Sequence, residues 1–190
     1  INFSSTIDGA DGTGDNLTIL AGDSAKGAGL TITGNIGDTT ALTTLKINES
    51  AGDVALTIPQ IGGGGAAGVS STVEIGNSNT ASISMGSSVY DFGTGAVELV
   101  GNTTFTAASP TVDSIESVVG GEAQGDGGSF KVTGTVTINN GHLDINTAGG
   151  NIEVTGNIAS AGDDESLTLD DGTGTGTVTL GGSETSGSIT

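Results

Sequence analysis

Few residues in this 190-residue chain could do chemistry, and their types narrow it quickly. His142 is the single histidine, and cysteine is absent. Zinc sites are built mainly from imidazole and thiolate, so one here would depend on carboxylates to complete it. In Asn140-Gly141-His142-Leu143 the ring stands at a turn just before a strand, where a surface histidine is the plainer reading. The acidic residues offer more. Asp8, Asp11 and Asp15 share one Gly-rich turn, and Asp163, Asp164, Asp170 and Asp171 cluster in a later one. Oxygen-rich turns suit Ca²⁺, a hard ion that prefers carboxylate and carbonyl ligands. The tandem G-G-x-G-x-D nonapeptide of calcium-binding β-helices is missing, so the same turns also read as solvated, solubilising ones. No cofactor is expected, with Ca²⁺ as the alternative. Glu153 and Asp144 could supply the carboxyl pair of a polysaccharide-degrading enzyme. With no Arg, three Lys, no Trp and one Tyr, a sugar cleft lacks its usual side chains, and we expect no catalytic residue.

Charge sets the partners. Twenty-two acidic residues face three basic ones, Lys26, Lys46 and Lys131, for a net charge of −19. Such a chain repels phosphate backbones and anionic lipid surfaces, which excludes nucleic acid and membrane insertion. No apolar run approaches the ~18 residues of a membrane span. Leu, Ile, Val and Phe together make 44 of 190 residues, just above the roughly 20% below which charged chains stay disordered. Val and Ile outnumber Leu by 29 to 11, and Gly numbers 36. β-branched side chains favour extended backbone and glycine breaks helices, so an all-β chain is expected. With only Pro59 and Pro110 and no G-X-Y period, collagen is excluded.

Positioning falls to a recurrent triplet, apolar–polar–apolar. Fourteen copies run along the chain, from Ile1-Asn2-Phe3 through Leu45-Lys46-Ile47, Val97-Glu98-Leu99 and Ile152-Glu153-Val154 to Val178-Thr179-Leu180. Each puts two side chains inward and one into water, as a short strand does. Gly, Asp, Asn, Ser and Thr fill the gaps, as turns require. The sequence also echoes itself. Ile1-Asn2-Phe3, Ile7, Leu17-Thr18-Ile19 and Leu30-Thr31-Ile32 reappear as Ile152-Glu153-Val154, Ile158, Leu167-Thr168-Leu169 and Val178-Thr179-Leu180. The cassette Leu30 to Ile36 recurs as Ile152 to Ile158. A stack of like coils benefits from such echoes where a closed sandwich does not. The expected fold is a parallel β-helix, a β-solenoid with coils of roughly 20–25 residues stacked ~4.8 Å apart, about eight or nine in number. Residues 1–190 read as one solenoid segment, with a less regular, loop-bearing stretch at 100–129. Ile1 opens in mid-pattern and Gly181 to Thr190 resembles no cap, so further repeats or end-to-end stacking of copies is expected.

Leu30-Thr31-Ile32-Thr33-Gly34-Asn35-Ile36-Gly37-Asp38, Asn16 to Gly22 and Gly174 to Gly182 resemble the repeat units of large bacterial surface proteins. These are the filamentous-haemagglutinin-like and autotransporter-type adhesins with β-strand repeats. The resemblance covers most of the chain outside 100–129. It implies a right-handed β-helix exported to the bacterial cell surface as a stalk, adhesin shaft or filament, and it brings no site residues with it. The first expectation is thus an extracellular structural rod whose partners are further repeats or copies of itself, end to end. The alternative is an adhesin shaft that recognises a glycan or host surface through the loop around 120–128. Thr133-Gly134-Thr135-Val136-Thr137 and the run Thr173 to Thr179 also invite an ice-binding solenoid. Because triplet centres mix Thr with Lys, Glu, Asp, Asn and Ser, the sequence displays no clean threonine ladder.

Overall fold

Alternating apolar and polar residues with glycine-rich breaks can form strands and little else, and the computed structural model is built of strands. It describes residues 2–11, 14–21, 30–49, 54–63, 68–93, 95–108, 110–113, 117–119, 122–124, 128–147, 149–162, 164–172, 175–182 and 188–189. Among these there is no helix.

Three parallel sheets carry the chain. Sheet I has seven strands: β2 (Asn16–Ala21), β4 (Leu42–Glu49), β6 (Val69–Gly76), β9 (Ala96–Val100), β14 (Phe130–Thr133), β17 (Ile152–Val154) and β20 (Val178–Leu180). Sheet II contains β5 (Val54–Ile58), β7 (Thr80–Met85), β10 (Asn102–Phe105), β15 (Val136–Ile138) and β18 (Ile158–Ser160). The parallel pair β1 (Asn2–Phe3) and β3 (Thr31–Ile32) lies on the same side, with β3 against β5. Sheet III contains β8 (Val89–Asp91), β11 (Thr111–Asp113), β16 (His142–Asn146), β19 (Ser166–Asp170) and β21 (Ser188–Ile189). Single parallel bridges extend it through Ile61, Ile36 and Ile7. From β1 to β20 the chain visits the sheet II side, the sheet III side and sheet I, in that order, seven times.

Register is kept by apolar columns. Leu17, Leu45, Val73, Val97, Phe130, Ile152 and Val178 pair in succession along sheet I, with Ile19, Ile47, Ile75, Leu99, Val132, Val154 and Leu180 alongside. A slip of one residue would turn both columns into water. In the middle of the stack these side chains are fully buried, each contributing roughly 1.5–3 kcal/mol. The first column sets the step between rounds at 28, 28, 24, 33, 22 and 26 residues. Four of these six steps exceed the expected 20–25 because the intervening turns are longer, and the described strands make seven passes over the three sheets where eight or nine coils were expected.

The internal echo has a different meaning from the one expected. Asn2-Phe3, Ile7 and Leu17 lie on the sheet II, III and I sides, whereas their echoes at Ile152, Ile158 and Leu167 lie in sheets I, II and III. The echo is displaced by one side throughout. The cassette with Thr-Gly-Asn at its centre is a recipe for turning a corner, used at different corners.

Glycine makes the corner from sheet I to sheet II possible. Gly101, Gly134, Gly156 and Gly182 stack there, and a Cβ on Gly134, Gly156 or Gly182 would sit 2.5, 2.4 or 2.2 Å from the carbonyl oxygen of the glycine before it. Gly134 also has φ +142°.

Part of the stretch 100–129 is regular. Strands β10 and β11 lie within it in register with β7, β15, β8 and β16. The triplet is hidden because Thr103 takes an apolar slot: it is fully buried and its Oγ1 donates to the Gly101 carbonyl at 3.2 Å. Among the described residues the departure is a hairpin of β12 (Ser117–Val119) and β13 (Glu122–Gln124), the one antiparallel pair of strands.

Candidate functional site

Outward side chains of the three sheets differ in kind. In sheet I the triplet centres Thr18, Lys46, Glu74, Glu98, Lys131, Glu153 and Thr179 align in one column. Two of the three cations of the chain stand in it. Lys46 Nζ donates to Glu74 Oε1 at 2.9 Å, and Lys131 Nζ lies 3.6 Å from Glu98 and 3.9 Å from Glu153. A shallow depression of about 230 Å³ opens on this column, lined by Thr72, Glu74, Ala96, Glu98, Ser129 and Lys131. Its two carboxylates are already ion-paired. These groups are well exposed, so each pair adds about 0.5 kcal/mol. Lys131→Gln leaves Glu98 beside Glu74, and Glu153 on the far side of residue 131, with one cation fewer. It is expected to cost about 1 kcal/mol in low salt and less in high salt, read from urea unfolding at both ionic strengths.

The carboxylates considered as an enzymatic pair are not brought together: Glu153 faces Lys131 on sheet I, and Asp144 lies on sheet III between Thr111 and Thr168 in register. His142 is the half-buried end of β16. Its Nδ1 lies 2.6 Å from Ser166 Oγ and its Nε2 3.1 Å from Thr168 Oγ1. Both hydroxyls belong to the neighbouring strand β19.

The aspartates proposed for Ca²⁺ serve the backbone. Asp8 Oδ1 accepts the Thr39 N–H at 2.9 Å across to the next round, and Asp15 Oδ2 accepts those of Ala10 at 2.8 Å and Asp11 at 3.3 Å. Asp170 Oδ1 accepts the Gly172 N–H at 2.7 Å, which closes an Asx turn, and the Asp171 carbonyl accepts the Gly149 N–H. Asp11 and Asp164 are exposed, and Asp163 lies outside the described residues. Among the described residues no three metal-ligating side chains converge.

Sequence reasoning missed Tyr90, the largest buried side chain. Strand β8 points a single residue inward, so Val89-Tyr90-Asp91 carries no triplet. The Tyr90 hydroxyl donates to the Ile58 carbonyl at 3.0 Å and accepts the Ser87 N–H at 2.9 Å, and its ring stacks on Phe92 with centroids 6.1 Å apart. Burial pushes its pKa up to about 12. The same cause raises the neighbouring Asp91 carboxyl, against the Gly93 N–H that stabilises its charge. A phenol whose folded pKa lies above its unfolded value of 10 stabilises fully below pH 10 and loses that contribution as pH rises towards 12. Tyr90→Phe is expected to cost about 2 kcal/mol at pH 7 through two buried polar groups left unpaired. It should also flatten the fall in stability between pH 10 and 12, measured by denaturant unfolding.

Sheet II is different again: no strand of it carries a charged residue. Compared with protein-family models, with curated proteins and with solved structures, the chain matches none.

Proposed function

We propose that the chain is an extracellular structural rod, a three-sided parallel β-solenoid that serves as a repeat segment of a large surface adhesin or as a subunit of a surface filament. The resemblance of its repeat units to bacterial surface adhesins suggests the setting. One observation carries the reading: the chain meets the same three sheets in the same order seven times, with apolar columns in register from round to round. Among the described residues the sheet I columns run to Val178 and Leu180, which are 42% and 40% exposed although their partners Ile152 and Val154 are buried. A further rung, from the same chain or another copy, would cover them and pair the free edge of β20 by β-augmentation. The net charge of −19 keeps rods from bundling sideways, while backbone pairing and apolar burial operate end to end.

Negative-stain electron microscopy at micromolar concentration tests this. Straight rods, single or joined into fibres of uniform width, are expected, and compact particles without a long axis contradict the proposal. Fibres assign a filament subunit, and separate short rods a shaft segment.

The β12–β13 hairpin favours a second reading, in which it recognises a glycan or surface, because it belongs to none of the parallel sheets. Most of the loop expected at 120–128 lies outside the described residues. Deleting residues 117–124 should abolish adhesion and leave the strand-type circular dichroism unchanged; persistent adhesion removes the hairpin as the site.

A further inference from the structure

Charge is segregated by side in this molecule. Of 25 acidic and basic residues in the chain, none falls in β5, β7, β10, β15 or β18, whereas sheets I and III both carry several. The outward residues of sheet II form a registered grid. Thr57, Ser84, Thr104, Thr137 and Ala159 make one column, and Ala55, Ser82 and Asn102 make a second beside it. Thr106 and Thr135 prolong the hydroxyl rows of β10 and β15 at their ends. Thr135 N–H is tied to Asn102 Oδ1 at 3.1 Å, which holds adjacent rounds together along this side. The sequence concealed the grid because it interleaves residues of all three sides; the register separates threonine-centred rows from lysine- and glutamate-centred ones.

We propose that sheet II is an ice-binding face. Parallel pairing repeats its hydroxyls about 4.8 Å apart across strands, and residues i and i+2 repeat about 6.6 Å apart along them. The β-branched Thr side chains of the grid are stiff at χ1, so its threonine rows are preorganised rather than ordered on binding. Hexagonal ice presents a flat, neutral, periodic array of donors and acceptors, and hydroxyls act as both. Charge complementarity selects the same occupant. A polycation would prefer sheets I and III, a polyanion is repelled by the whole molecule, and an uncharged hydrogen-bonding lattice meets no penalty on this side alone. The proposal needs only the register within sheet II and stands whether or not the rods join end to end.

Partition into a slowly growing ice front tests it. The wild-type chain is expected to be taken into the ice, and Thr104→Lys/Thr137→Lys to be rejected into the liquid. Glu153→Gln on sheet I should partition as wild type does. Circular dichroism of all three verifies the fold, and Thr57→Lys at an exposed position replaces the double variant if that fails to fold. Rejection of the wild type, equal uptake of the lysine variants, or adsorption to crystalline cellulose without uptake into ice overturns the assignment.

Discussion

Gly134→Val is expected to destabilise the protein by about 3 kcal/mol or more, through two costs that add at one atom. The new Cβ would stand 2.5 Å from the Gly101 carbonyl oxygen and 2.7 Å from its carbon, both backbone of the preceding round, which cannot rotate away. Residue 134 also holds φ +142°, a conformation β-branched residues avoid. Because Gly156 rests on Gly134 in turn, any retreat is passed along the corner. Gly86→Ala is the control: its Cβ meets only Thr106 Oγ1, at 3.7 Å, and should change stability by less than about 1 kcal/mol. Urea unfolding of both variants measures the difference.

Phe105→Ala should cost about 3–5 kcal/mol. Phe105 is fully buried in the middle of sheet II, with Met85 in register on one side and Ile138 on the other. Removing the ring opens a cavity between two rounds whose backbones are fixed by parallel pairing, so it cannot collapse. Leu180→Ala, at 40% exposure on the last strand of sheet I, should cost less than about 1 kcal/mol. The contrast between an interior and a terminal rung reads out the stacking itself, by thermal or urea unfolding.

All fourteen triplets fall on or against strands, with Ile1 outside the described residues. That much was legible because two inward apolar residues around a polar one are a local signature. Strand β8 escaped because it points one side chain inward, Tyr90, and β10 because Thr103 holds an apolar place by bonding to Gly101. The sorting of outward residues was illegible for another reason. Neighbours in the Lys46–Glu74–Glu98–Lys131–Glu153 column are 22–33 residues apart in sequence, and only the lengths of the intervening turns decide that they meet. The same lengths separate Glu153 from Asp144 and tie His142 to Ser166 and Thr168.

A rod of this kind requires successive passes stacked in parallel register, and a chain without cysteine allows that to be tested by paired substitution. Thr104→Cys/Thr137→Cys in sheet II and Thr44→Cys/Thr72→Cys in sheet I place thiols on paired residues of successive rounds. Adjacent paired Cα atoms stand about 4.8 Å apart, within the roughly 4.4–6.8 Å that a disulfide spans. Mild oxidation of the dilute protein is predicted to close both bonds within one molecule, while Thr104→Cys/Thr168→Cys, on different sheets, remains reduced. In-register pairs that stay reduced, or a cross-sheet pair that closes as readily, would contradict the stacked fold on which the rod depends.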